Sequence, residues 1–204
     1  MTDFASIIGQ TVKRPADLLD LGCGLCEEGE DLIRRGWALT GIDQDGETIR
    51  QVRSRLPDGR FITADAAHWL LRCGDKYDVI LIRRPDLAHR PENWLRIFQA
   101  LGGLLKPGGV VFVTTPGVQE MSLCRRWLRE AGGHTETVFL GHREEEYLVK
   151  AQGLHEIHNN NEPMDRLISE LSWEDDRPHM VCDLRTGRCT AVEESDSADQ
   201  NKQE

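Results

Sequence analysis

The chain has 204 residues, 39% of them hydrophobic, and a formal net charge of −10. That length suits one α/β domain plus an appendage, and no apolar run approaches the roughly 20 residues of a membrane span. The charge is uneven. Through Gln152, 20 Lys and Arg face 22 Asp and Glu, and from Gly153 onward the counts are 5 and 13, which argues against a broad nucleic-acid footprint.

Met1 to Pro15 lack the basic start and apolar centre of a signal peptide, so a cytoplasmic location is the default. One or two helical turns fit Phe4 to Ile8. Asp17 to Leu21 reads as a buried strand leading into Gly22-Cys23-Gly24, whose glycines let the backbone turn tightly and approach a ligand. A helix is predicted over Cys26 to Arg35, with its free N–H groups aimed above the turn and Gly36 as its cap. Trp37 to Ile42 reads as a strand ending in Asp43, and Gly46 to Leu56 as a helix stopped by Pro57-Asp58-Gly59. Arg60 to Thr63 is a third strand, followed by Ala64-Asp65-Ala66 and a helix through Trp69 to Arg72.

Tyr77 to Ile82 is an aliphatic run suited to a parallel strand buried on both faces. Pro91 to Leu105 carries Trp94, Leu95, Ile97, Phe98, Leu101 and Leu105 at helical spacing. Lys106-Pro107-Gly108-Gly109 breaks that helix, and Val110 to Thr115 is the next strand. A helix over Gln119 to Ala131 stops at Gly132-Gly133. Thr135 to Leu140 and Glu145 to Ala151 are joined by a link too short for a crossover, which makes them antiparallel. The alternation implies a doubly wound, Rossmann-like α/β sheet of seven strands with an antiparallel C-terminal hairpin.

Residues 1–152 are expected to form this domain and 153–204 an acidic, partly disordered extension. The extension reads as a loop at Asn159-Asn160-Asn161, an amphipathic helix over Met164 to Leu171, and a small hairpin over Val181 to Val192 around Thr186-Gly187. From Glu193 it is charged and polar.

Four features, in order, resemble the class I S-adenosylmethionine-dependent methyltransferases. They are Asp20 to Gly24, Asp43 about twenty residues on, Asp65-Ala66 after the third strand, and Leu104-Leu105-Lys106-Pro107-Gly108-Gly109 before the fifth. The closing hairpin agrees. Cys26 stands where the longer glycine pattern has its third glycine, a departure from the strictest form. The resemblance implies S-adenosylmethionine as cofactor and a site at Asp20, Gly22, Cys23, Gly24, Asp43, Gln44, Asp65, Ala66, Ile82 and Arg83. Backbone N–H groups at Gly22 to Gly24 would receive the methionine carboxylate, and Asp20 would anchor the amino end. Asp43 would accept from the ribose hydroxyls and Asp65-Ala66 would read the adenine. The plainer readings are a helix N-cap for Asp65 and a solvated turn acid for Asp43.

Acceptors in open α/β sheets bind beyond the carboxyl ends of the strands. Asp86 and His89 are the candidates for a general base, against a plainer reading as a cap and a surface histidine. Arg83 and Arg84 are candidates for clamping a carboxylate or phosphate, with His142-Arg143 at the closing hairpin. The expected reaction is methylation of a small, anionic metabolite. The rivals are an RNA- or protein-directed enzyme, a silent cofactor-binding module that recruits a protein partner through its acidic tail, and a nicotinamide dehydrogenase. An RNA- or protein-directed enzyme would show Arg83, Arg84, Arg90, Arg125, Arg126 and Arg129 as one basic face. No metal site is indicated. His155-x-x-His158, His179-x-x-Cys182 and Cys189 are irregularly spaced for zinc, and the six cysteines are expected to be reduced.

Overall fold

The computed structural model describes residues 4–12, 15–141 and 146–155, together with the backbone strands at 179–182 and 189–192. Six helices and seven strands make the domain: α1 (Phe4–Thr11), β1 (Asp17–Leu21), α2 (Gly29–Arg34), β2 (Ala38–Asp43), α3 (Gly46–Arg55), β3 (Arg60–Thr63), α4 (Ala66–Leu70), β4 (Tyr77–Arg83), α5 (Pro91–Leu104), β5 (Leu105–Thr115), α6 (Val118–Glu130), β6 (His134–Gly141) and β7 (Glu146–Gln152). The strand order is β3-β2-β1-β4-β5-β7-β6, with β7 antiparallel to both β5 and β6 and the other pairings parallel. This is the expected doubly wound sheet. Its order reverses between β1 and β4, and a crevice opens there beyond the carboxyl ends of the strands.

Both sheet faces are covered, which is why the central strands read as unbroken aliphatic runs. Leu18, Val79, Leu81 and Phe112 face α1, α2 and α3 through Ile8, Leu32, Ile49 and Val52. The alternate residues Leu19, Ile80, Ile82 and Val113 meet Leu70, Leu95, Phe98 and Trp127 of α4, α5 and α6. Phe98 and Trp127 pack edge to face, ring centroids 5.5 Å apart, and so join α5 to α6. By the same alternation Asp20 and Arg83 lie on the α1–α3 face, one at the end of each central strand.

Two local expectations differ from the structure. The helix predicted from Cys26 begins at Gly29, because Cys26 has a φ of 48° and the chain makes two turns first (Cys26 N–H to Cys23 O, 2.8 Å; Gly29 N–H to Cys26 O, 3.0 Å). Lys106-Pro107-Gly108-Gly109 belongs to β5, as a bulge between the pairs Tyr77–Leu105 and Val79–Val110, with Gly108 at φ 77°. The bulge carries Lys106 back to Asp78 (2.8 Å) and to Asp17, tying β5, β4 and β1 at the sheet end opposite the crevice.

Past the domain, β8 (His179–Cys182) pairs antiparallel with β9 (Cys189–Val192), so the hairpin expected over Val181 to Val192 begins two residues earlier. The expectations at 142–143, 159–161, 164–171, 186–187 and 193–204, and His158 of the weighed zinc set, lie outside the described residues. Among the described residues no helix is long and apolar enough to cross a membrane.

Gly41 lets β2 lie against the glycine turn. A Cβ there would sit 2.6 Å from Cδ1 of Phe61 and 2.9 Å from the Cys23 sulfur, both buried. Gly41→Ala is expected to lower unfolding free energy by about 1–3 kcal/mol, read as a lower urea midpoint at unchanged slope.

Candidate cofactor site

The glycine turn is bolted to β2 by its own backbone. The N–H groups of Gly22 and Cys23 both donate to Ile42 O, at 2.8 and 3.0 Å. Gly24 N–H donates to Oδ2 of Asp43 at 2.9 Å, and Oδ1 of Asp43 accepts from Asp45 N–H, also at 2.9 Å. Gly22, Gly24 and Cys26 all take left-handed conformations, with φ of 70°, 52° and 48°. Only Cys26 carries a Cβ there, a conformation that costs a non-glycine residue about 1 kcal/mol. The three N–H groups expected to receive a carboxylate therefore already have partners on β2.

Arginines brace the same turn from both sides. Arg83, at the end of β4, donates through Nη2 to Asp20 and to Cys23 O, each at 3.0 Å, and through Nη1 to Glu28. Arg55, at the end of α3, donates to Leu25 O and, at 3.0 Å, to Cys26 O. Asp20 is 1% exposed, and its Oδ2 also accepts from the Cys26 thiol at 3.7 Å. Its other oxygen, Oδ1, is buried with no hydrogen-bond partner among the described residues. Burial pushes the Asp20 carboxyl above its ordinary range while the Arg83 guanidinium pulls it back. Burial opposes the charge on Arg83 too, but Asp20 and Glu28 outweigh it and keep the guanidinium charged.

The crevice between β1 and β4 holds a cleft of about 230 Å³. One wall carries Gly22, Asp43, Gln44, Asp65 and Ala66, and the other carries Asp86, Arg90, Asn93, Trp94 and Ile97. Gln44 Oε1 accepts from Arg90 Nη1 at 3.2 Å, joining the two walls. Asp65 both lines the cleft and caps α4, its Oδ1 accepting from His68 N–H at 3.0 Å. Asp20, Cys23, Gly24, Ile82, Arg83 and His89 are not among the residues that line it. Of these, Ile82 is fully buried in the core and offers a ligand only its backbone.

Asp86 and His89 do come together. Oδ1 of Asp86 accepts from His89 Nδ1 at 2.7 Å, and that hydrogen bond holds the Asp86 carboxyl below its usual range. An ionised carboxylate can only accept, so Nδ1 carries the proton and Nε2 is the free ring nitrogen. The cleft wall from α5 was missed in the sequence. Trp94 and Ile97 were named only as part of the apolar spacing of the helix, and Arg90, Trp94 and Ile97 stand at helical spacing on one face, a signal that names the wall once Arg90 is included. The Trp94 ring lies 3.9 Å from where a Cβ on Gly22 would be.

Residues 18–109 match the family described as "Methyltransferase domain". Trans-aconitate 2-methyltransferase of Rhodopseudomonas palustris (strain BisB18) is 38% identical over 105 residues, 50% of this chain and 39% of that protein. The enzyme of the same name from Rhizobium meliloti (strain 1021) is 33% identical over 113 residues, 54% and 42%. The chain thus spans about two-fifths of the length of these relatives. Among solved structures, a TehB-like SAM-dependent methyltransferase from Corynebacterium glutamicum superposes with a TM-score of 0.64 at 18% identity, over 76% of this chain and 88% of the other. Magnesium protoporphyrin IX methyltransferase from Synechocystis PCC 6803, solved with bound SAM, gives 0.60 at 17%, over 72% and 74%. The chain has the class I methyltransferase fold, and residues 18–109 of it resemble a methyltransferase domain.

Burial pushes the Cys23 thiol up to about 12, with Asp20 and Asp43 adding to the shift. Burial raises Cys26 and Cys124 further still. Among Cys23, Cys26, Cys73 and Cys124, thiol modification at pH 8 with peptide mapping is expected to label half-buried Cys73 first and the other three at least about tenfold more slowly.

Proposed function

We propose that this class I methyltransferase domain transfers a methyl group from S-adenosylmethionine to a small anionic acceptor, most simply a carboxylate. The observation that carries the reading is the cleft at the point where the strand order reverses, with carboxylates Asp43 and Asp65 on one wall and the Arg90 guanidinium on the other. Asp43 uses one lone pair on each oxygen for backbone N–H groups, and a carboxylate has about four acceptor positions, so two remain for ribose hydroxyls. Asp65 and Ala66 would meet the adenine, and the unpartnered Oδ1 of Asp20 is an acceptor suited to the ammonium of the methionine end.

When bound, S-adenosylmethionine supplies a methyl group on a sulfonium, which leaves as a neutral thioether. The protein's part is to align the acceptor and exclude water. A carboxylate arrives without a proton, so no side chain has to remove one. Arg90 would fix the acceptor by charge-assisted hydrogen bonds at the mouth of the cleft. The Asp86–His89 pair would serve as a base only for a hydroxyl or amine acceptor. Relatives named for trans-aconitate, a small carboxylate, support this acceptor class. So does the position of Arg83, which turns inward onto Asp20 and is lost to any basic surface for RNA. Arg126, another of the six, pairs with Glu130.

A panel of small carboxylic acids with methyl-labelled donor tests this. Labelled ester is expected from at least one acid. Arg90→Ala should raise KM for that acid roughly tenfold or more, with kcat changed little. His89→Ala should change kcat by less than about tenfold, whereas a catalytic base would lose about 100- to 10,000-fold. Donor binding without turnover on any acid would overturn the acceptor class.

A further inference from the structure

The glycine turn departs from the longer glycine pattern in two ways. Its third glycine is Cys26, held left-handed, and the helix that should start there is delayed to Gly29 and runs for only six residues. Carbonyl groups of the turn take guanidinium donors from outside the motif, Cys23 O and Cys26 O in addition to N–H groups of the turn itself. Arg83 reaches from β4 to three acceptors at once: Asp20 at the end of β1, Cys23 O in the turn, and Glu28 just beyond it. Arg55 caps Leu25 O and Cys26 O from the other side. Arg83 is 20% exposed against 1% for Asp20, so this is a partly buried, two-acid, one-cation cluster whose geometry decides where Oδ1 of Asp20 stands.

We infer that Arg83 is a positioning residue for the methionine half of the cofactor site, holding Asp20 and the 22–28 turn in place from β4, and that it neither clamps the acceptor nor contributes to the adenosine half. The inference rests on the cofactor reading above. The adenosine half shares the Gly24 contact with the turn and has further supports of its own. Asp43 is fixed by Gly24 and Asp45, Asp65 by the start of α4, and Gln44 by Arg90. Arg83 does not line the cleft they form. Arginine suits this role because its planar fork addresses several acceptors in fixed directions, whereas a lysine ammonium is a single point. Burial adds a consequence. Without the guanidinium, Asp20 would face Glu28 and the Cys26 thiol as a desolvated acid with no counter-charge.

The two halves can be read separately by calorimetry on the full chain, using S-adenosylhomocysteine and 5′-methylthioadenosine, which lacks the amino-acid arm. Arg83→Met is expected to weaken S-adenosylhomocysteine by about 10- to 100-fold while 5′-methylthioadenosine stays within about threefold. Arg83→Lys should fall between Arg83→Met and the unaltered protein. Glu28→Gln, on a half-buried side chain, should still fold if Arg83→Met does not, and should weaken S-adenosylhomocysteine alone by a few-fold. Equal losses of both ligands in Arg83→Met, or no loss of either, would overturn the inference. So would tighter S-adenosylhomocysteine binding in Glu28→Gln, which would make Glu28 a competitor and not a brace. Failure of the unaltered protein to bind either ligand would overturn the cofactor reading itself, and this inference with it.

Discussion

The carboxylate of Asp43 is the constraint on which the site depends. It ends β2, and through Oδ2 it takes the N–H of Gly24, so the strand and the turn after β1 are held at one spacing. Ile42 O, one residue earlier, takes the N–H groups of Gly22 and Cys23. Gly41, one residue earlier again, has no side chain to keep β2 away from Cys23. Three consecutive residues of β2 thus shape a loop that belongs to β1. The same carboxylate lines the cleft, so the group that builds the site is also exposed to its ligand.

Two charge clusters sit at opposite ends of the same central strands. At the carboxyl ends, Arg83 joins β4 to Asp20 of β1 and to the turn. At the other end, Lys106 joins the β5 bulge to Asp78 of β4 and Asp17 of β1. The ends differ in burial. Lys106 and Asp17 remain substantially exposed, which makes that link modest in energy and screened by salt. Asp20 is closed off from water, so removing its partner would leave an uncompensated charge, a loss of about 3–5 kcal/mol in such settings. The interaction at the functional end is the sensitive one.

Much of this was legible in the residues. β1 and β3 have the bounds read from the sequence, because an apolar run bounded by turn residues leaves a strand little latitude. The start of α2 was not legible, since nothing in Leu25-Cys26-Glu27 announces a cysteine held left-handed by its surroundings. The Lys-Pro-Gly-Gly segment looked like a break because bulges share their composition with turns, and only pairing with β4 distinguishes the two. Asp86 and His89 were named as separate candidates for a base, and the structure places them in one hydrogen bond of 2.7 Å. The inward direction of Arg83 follows from strand parity, since it shares a face with Val79 and Leu81, but its charge argued for solvent. Trp94 shows the converse. Its place in the apolar spacing of α5 says nothing of a ligand, and its ring stands half-buried at the cleft opposite Gly22.

The central claim, that the Asp43-braced crevice is the S-adenosylmethionine site, is tested most directly by titrating the protein and an Asp43→Ala variant with S-adenosylhomocysteine in a calorimeter. Saturable binding by the unaltered chain is predicted, and a loss of about 100-fold or more in the variant, which removes one accepting carboxylate from both the ligand and the turn. Equal affinity in the two proteins would contradict the claim, because a ligand indifferent to Asp43 cannot be bound in this crevice.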